Sequence, residues 1–114
     1  MSADCLFCKI IAGQIPSNKA FEDELCYGFH DIAPKAPLHV LFVPKEHFAS
    51  ASEIDEGREK LAGHLLRVAG ELARQRGHGQ NGYRLILNTG PHAGQTVFHL
   101  HLHLLAGKPL AEMG

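Results

Sequence analysis

No charge of one sign dominates this chain. Eleven basic residues stand against twelve acidic ones, for a net charge of −1, and no basic stripe appears. That balance argues against a protein that coats a polyanion, so no nucleic-acid partner is expected. No apolar run approaches the roughly 20 residues needed to span a bilayer, so no membrane partner is expected either. The opening Met1-Ser2-Ala3-Asp4 lacks the basic and apolar regions of a signal peptide, which makes a cytoplasmic location the expectation. Repeats, low-complexity tracts and linkers are absent. Cysteine is scarce, with Cys5, Cys8 and Cys26 only. An odd count in such a chain argues against a disulfide framework. The 114 residues are 45% apolar and 20% charged, which suits a single soluble domain over residues 1–114.

Histidine, by contrast, is plentiful. There are nine, and protonating all of them would move the net charge from −1 to +8. Imidazole titrates near neutrality, ligates metals and serves as acid, base or nucleophile. An excess of it therefore asks for a chemical explanation.

Hydrophobic spacing and turn residues predict the elements. Residues 4–12 read as a short helix capped by Asp4, with Leu6, Phe7, Ile10 and Ile11 on one face, stopped by Gly13 and Pro16. Residues 19–22 and 25–30 read as strands joined by an Asp23-Glu24 turn. Two prolines make residues 32–37 a loop before a third strand over 38–43. A long helix is expected over 55–76, capped by Ser52 or Asp55 and buried through Leu61, Leu65, Val68 and Leu72. Gly77 fits its C-terminal cap, while Gly63 and Gly70 weaken it or permit close packing. A fourth strand is expected over 83–88, a glycine-containing loop over 89–95 and a fifth strand over 96–105. Short turns favour antiparallel pairing, giving an α+β domain whose sheet has one face under the long helix.

The stretch Val97-Phe98-His99-Leu100-His101-Leu102-His103-Leu104-Leu105 carries the most information. It alternates strictly, so a strand would place Phe98, Leu100, Leu102 and Leu104 on the core face and the three imidazoles on the other, about 7 Å apart. Three readings follow: polar positions that happen to be histidine, a metal site, or nucleophilic and acid–base catalysis by imidazoles in different roles. Imidazoles along one strand do not converge on a tetrahedral ion without ligands from elsewhere. Cys5 and Cys8 form half of such a site, or a redox pair, although no βαβ context surrounds them. Cys26 reads as a small packed hydrophobe.

The motif His99-Leu100-His101-Leu102-His103-Leu104-Leu105 resembles the signature of the histidine triad (HIT) superfamily. The resemblance extends along the chain through Phe7-Cys8-Lys9-Ile10-Ile11-Ala12-Gly13-Gln14-Ile15-Pro16, Phe29-His30-Asp31-Ile32-Ala33-Pro34, His39, Pro44-Lys45-Glu46-His47, Asn88-Thr89-Gly90 and Gly94-Gln95-Thr96. It is strongest to the Hint-like branch, the purine nucleoside phosphoramidases. It implies a HIT-like fold, a five-stranded antiparallel sheet with one long and one short helix.

The resemblance also implies site roles. His101 matches the nucleophile that attacks the α-phosphorus of a nucleoside 5′-phosphoramidate to form a nucleotidyl-histidine. His103 matches the partner near the leaving group, and His39 the histidine that supports the nucleophile. Asp31 matches the carboxylate that binds the ribose hydroxyls. Asn88, Gly94, Gln95 and Thr96 match the phosphate-binding set. Leu6, Phe7, Ile10, Phe29 and Ile32 match the apolar walls around the base, although core packing explains them equally. By analogy with bacterial members and the related uridylyltransferases, Cys5, Cys8, His47 and His99 would hold a structural zinc ion, while catalysis itself needs no cofactor.

A purine nucleotide of the AMP type is the implied substrate, and a homodimer built on the long helix and the fourth strand the implied assembly. Hydrolysis of dinucleoside polyphosphates, or a regulatory nucleotide- or zinc-binding module, are the alternatives. The former branch commonly has Gln at the position of His103. The end of the chain departs from the pattern: Hint-like proteins often close on Trp and two prolines, whereas this chain has no Trp.

Overall fold

The computed structural model describes residues 4–113; residues 1–3 of the N-terminal reading and the final residue of the tail lie outside the described residues. The elements run α1 (Leu6–Ile11), β1 (Lys19–Glu22), β2 (Cys26–His30), β3 (Leu38–Pro44), α2 (Glu59–Gln75), β4 (Tyr83–Leu87) and β5 (Leu102–Ala106), with short 3-10 turns at Ala51–Glu53, Glu56–Arg58 and Pro91–Ala93. The strands form one antiparallel sheet in the order β1-β2-β3-β5-β4. The class is α+β, as the sequence predicts.

The sheet separates two apolar clusters. On one face Val40, Phe42, Leu102 and Leu104 pack beneath Leu65, Val68, Ala69, Leu72 and Ala73 of α2. Each large side chain so buried contributes about 1.5–3 kcal/mol. Cys26 belongs to this cluster with no exposed surface, and burial pushes its thiol up to about 12, in keeping with a small packed hydrophobe. On the other face α1 covers a smaller cluster of Phe7, Ile10, Tyr27, Phe29, Leu41 and Val43. Beyond α1, that face is left to the histidines. Gly70 gives α2 its close approach to β4, since a Cβ there would stand 2.9 Å from the Tyr83 hydroxyl.

Three boundaries differ from expectation. α1 is capped by Cys5 rather than Asp4, with Cys5 Sγ accepting the Cys8 N–H at 3.4 Å. α2 begins at Glu59, not at residue 55, because neither Ser52 nor Asp55 makes its cap and the chain enters through a 3-10 turn. Its C-terminus passes through Arg76 into Gly77 at φ +88°, as a helix-ending glycine should.

The third difference matters most. β5 starts at Leu102, so residues 96–101 are not strand. The β3–β5 ladder ends at the Phe42–Leu102 pair. Two residues further along β3 stands Pro44, which has no N–H to give a ladder. Its carbonyl takes the ring of His99 instead, at 2.8 Å. The Leu100 N–H goes to the Phe48 carbonyl, also at 2.8 Å. The strict alternation therefore breaks: Phe98, expected in the core, is 58% exposed, while His99 is fully buried.

Candidate active site

β3 and β5 place two histidines side by side. His39 pairs with Leu105 and Leu41 with His103, so His39 and His103 are diagonal neighbours on one face. Their rings meet through His39 Nε2 and His103 Nδ1 at 3.0 Å. His39 thus supports His103, whereas the resemblance placed it behind the nucleophile. His101 leans on the carbonyl of His99, 2.9 Å from its Nδ1, and the edge of Phe7 holds its ring at 5.1 Å.

The hydrogen bonds fix the protons. A backbone N–H only donates, and that of Lys35 points at His39 Nδ1 at 3.1 Å. Neutral His39 therefore carries its proton on Nε2 and donates it to His103 Nδ1. His103 in turn carries its own proton on Nε2. A carbonyl only accepts, so His101 donates through Nδ1 to the His99 carbonyl, and the neutral form of the ring has its lone pair on Nε2. In their neutral forms His101 and His103, both lining the cavity, are thus opposite tautomers, one with a free ring nitrogen lone pair and one with an N–H to donate. Burial, reinforced by the neighbouring His101 and His39, pushes His103 down to about 4. Burial also lowers His39, against the opposing pull of Asp31. Both are uncharged at neutral pH.

His101 and His103 open onto a cavity of about 310 Å³. Asp31, His39, Asn88, Gly94 and Thr96, all flagged in the sequence, line it too. Asp31 Oδ1 accepts the Ala33 N–H at 2.8 Å, and its Oδ2 lies 3.6 Å from His39 Nε2. The N–H of Gly94 closes the turn onto the Pro91 carbonyl at 3.1 Å. Gln95 is buried away from the cavity. Its side-chain oxygen accepts the Gly90 N–H, and its amide nitrogen donates to the carbonyls of Ala49 and Val97, so it braces the loop.

The expected apolar walls do not line this cavity. Phe7, Ile10 and Phe29 are buried in the cluster under α1, Leu6 is 44% exposed, and Ile32 stands fully in solvent. Three lining residues escaped the sequence reading: Lys35, Ile86 and Leu105. Ile86 lies directly across from His103, a relation that only strand register sets. Lys35 carried one visible sign, a cation within four residues of Asp31 in the two-proline loop.

A second cluster sits behind the first. Cys5, Cys8, His47 and His99 bring their ligand atoms within 4.8 Å of one another. Cys5 Sγ and His99 Nδ1 are 3.3 Å apart, Cys8 Sγ and His47 Nδ1 3.4 Å, Cys8 Sγ and His99 Nδ1 3.6 Å, and His47 Nδ1 and His99 Nδ1 3.0 Å. A tetrahedral Cys₂His₂ zinc site separates its donors by roughly 3.3–3.8 Å, so the set fits such an ion. The bond from His99 Nε2 to the Pro44 carbonyl leaves Nδ1 as the ligating nitrogen and supplies the outer hydrogen bond that metal-binding imidazoles commonly have. Away from both clusters, His64 on α2 meets Asp23 in the β1–β2 turn at 2.6 Å, a clamp the sequence did not announce.

Comparison with known proteins agrees with this arrangement. The HIT domain family model matches residues 12–110. A purine nucleoside phosphoramidase from Escherichia coli is 41% identical over 113 residues, covering 99% of this chain and 95% of that protein. An uncharacterised HIT-like protein of Synechococcus elongatus is 48% identical over 111 residues, covering 97% and 96%. Among solved structures, a histidine triad protein from Clostridium difficile superposes with a TM-score of 0.95 at 42% identity, covering 100% of this chain and 99% of that one. A HIT family hydrolase from Legionella pneumophila gives 0.92 at 42%, covering 95% and 96%. With the fold, the alternating histidines and these likenesses in agreement along its length, the chain belongs to the histidine triad (HIT) family.

Proposed function

We infer that the protein is a hydrolase that cleaves the P–N bond of purine nucleoside 5′-phosphoramidates. The observation that carries this reading is the pair of opposite tautomers in one cavity. His101 Nε2 offers a lone pair with its other nitrogen already committed. It attacks the α-phosphorus as the P–N bond breaks, giving a nucleotidyl-histidine. The electron pair stays with the departing nitrogen, which takes a proton along the bond from His103 Nε2. The positive charge on the phosphorylated ring of His101 offsets the proton that His103 has given up. Water then attacks the phosphorus, its proton restores His103, and the nucleoside monophosphate leaves His101 free. Asp31 serves as acceptor for the ribose hydroxyls, with Asn88 and Thr96 at the phosphate. The similarity to the E. coli phosphoramidase supports the reaction class.

No cofactor takes part in these steps. Cys5, Cys8, His47 and His99 would hold a structural zinc ion, which when bound ties α1 to the start of the histidine motif. The assembly is a homodimer through α2 and β4: β4 is an edge strand, and Leu66 and Leu87 on these two elements are 47% and 40% exposed. A cytoplasmic location accompanies this reading; among the described residues no helix is long and apolar enough to cross a membrane.

The test is turnover of an adenosine 5′-phosphoramidate bearing a fluorescent amine, by the wild type and by His101→Ala. Turnover lost in the variant supports the reading. Turnover that survives points to another nucleophile, and none in either protein removes the phosphoramidase assignment.

A further inference from the structure

The cavity holds one charge that the mechanism above does not use. Lys35 lines it together with Asp31, His39, His101 and His103. Its backbone N–H is bonded to His39 Nδ1, so the loop fixes its Cα beside the His39–His103 pair. The side chain is exposed, and among the described residues no carboxylate lies within ion-pair distance of its ammonium; several other surface cations are unpaired too, but Lys35 is the one that lines this cavity. Asp31 shares the cavity but turns one oxygen to the Ala33 N–H and the other toward His39. An exposed ammonium that lines the cavity of the proposed reaction is matched by an anion on the ligand.

Its position says which part of the ligand. In an in-line displacement the nucleophile and the leaving group stand on opposite sides of phosphorus. In the reaction proposed above His103 protonates the leaving group, and the Lys35 backbone N–H is tied to the His39–His103 pair. Burial is the main reason both rings are less basic than usual, and the Lys35 charge adds to it in the same direction. We propose that Lys35 is a specificity-determining residue that selects substrates whose leaving group carries its own negative charge, either a carboxylate on the amine or a second phosphate. The proposal rests on the phosphoramidase reading for the first source and is independent of it for the second.

The experiment compares the full-length wild type, Lys35→Gln and Lys35→Arg. The probes are adenosine 5′-phosphoramidates of tryptamine and of tryptophan, which differ by one carboxylate, together with equilibrium binding of AMP and ADP. Gln keeps the length and the backbone N–H while removing the charge. The expected result is that Lys35→Gln loses about tenfold more kcat/KM on the tryptophan substrate than on the tryptamine one, mainly through KM, as befits one charge-assisted contact. Lys35→Arg restores the preference, and added salt erodes it in the wild type. A selective loss of ADP over AMP binding with an unchanged carboxylate preference assigns the second phosphate as the source. Equal losses on both amines and on both nucleotides would overturn the proposal, since Lys35 would then serve the α-phosphate. No differential effect in any pair overturns it as well. If the wild type turns over neither phosphoramidate, the reaction assignment fails, and the ADP-over-AMP difference alone decides the role of Lys35.

Discussion

His39 and His103 are joined by one ring-to-ring hydrogen bond, from Nε2 to Nδ1 at 3.0 Å, bridging β3 and β5. With the Lys35 N–H on the far nitrogen of His39, this bond sets the tautomer of a histidine two residues removed from the proposed nucleophile. Replacing His39 with Ala leaves His103 Nδ1 without its donor. Activity should fall by about 10–100-fold, the usual cost of losing an outer hydrogen-bonding partner. The loss should appear in kcat more than in KM. The 15N shifts of His103 should move toward mixed tautomers, and an unchanged tautomer with full activity would refute the relay.

Stability should depend on pH in two windows. His103 sits near 4 when folded, below the ordinary 6.5, so the native state resists its protonation. The stability it contributes is present above 6.5 and is lost as pH falls through 4, on the order of 2 kcal/mol. His39 and His99, also lowered by burial, act in the same direction. At Asp23, burial raises the carboxyl, but the N–H groups of Cys26 and Leu25 and the His64 ring outweigh it and bring it to about 2. Its contribution persists above 3.8 and disappears as pH falls through 2. Denaturant midpoints at pH 7.5, 5 and 3 measure the first window, and His103→Gln should flatten it.

Removal of metal should be felt in the fold before the chemistry. The protein as purified is expected to carry one zinc per chain by elemental analysis. A strong chelator or Cys8→Ala should lower Tm by several degrees, because α1 loses its tie to His99 and His47. The chain should remain folded, since α2 and its cluster do not involve these ligands. An unchanged Tm after chelation of a zinc-loaded sample would remove the structural role.

Two glycines should respond in opposite directions to alanine. Gly107 has φ +102°, and a Cβ there would lie 2.8 Å from Pro37 Cβ. Gly107→Ala should cost about 1–3 kcal/mol and disturb the loop that carries Lys35. Gly63 is an exposed position inside α2 with nothing within 4 Å of its would-be Cβ. There alanine should stabilise by about 0.5–1 kcal/mol. Thermal melts of the two variants check both signs.

The sequence by itself determined the elements and the candidate chemistry. Periodicity placed β1 without error and the other strands to within a residue or so, except β5, because side-chain spacing along one segment is a local property. The spacing of Cys5 and Cys8 and the alternation of His99, His101 and His103 announced reactive groups for the same reason. The β5 boundary failed because Pro44, more than fifty residues away in the chain, ends the ladder and takes His99. Only the tertiary structure decided which groups each histidine touches. The partners of His39, His99 and Cys5 lie 64, 55 and 94 residues off, and the proton positions follow from those partners. Ile86 and Leu105 reach the cavity through register, and Lys35 through a loop held by one backbone hydrogen bond. Such relations arise when strands pair and cores pack, and no local pattern encodes them.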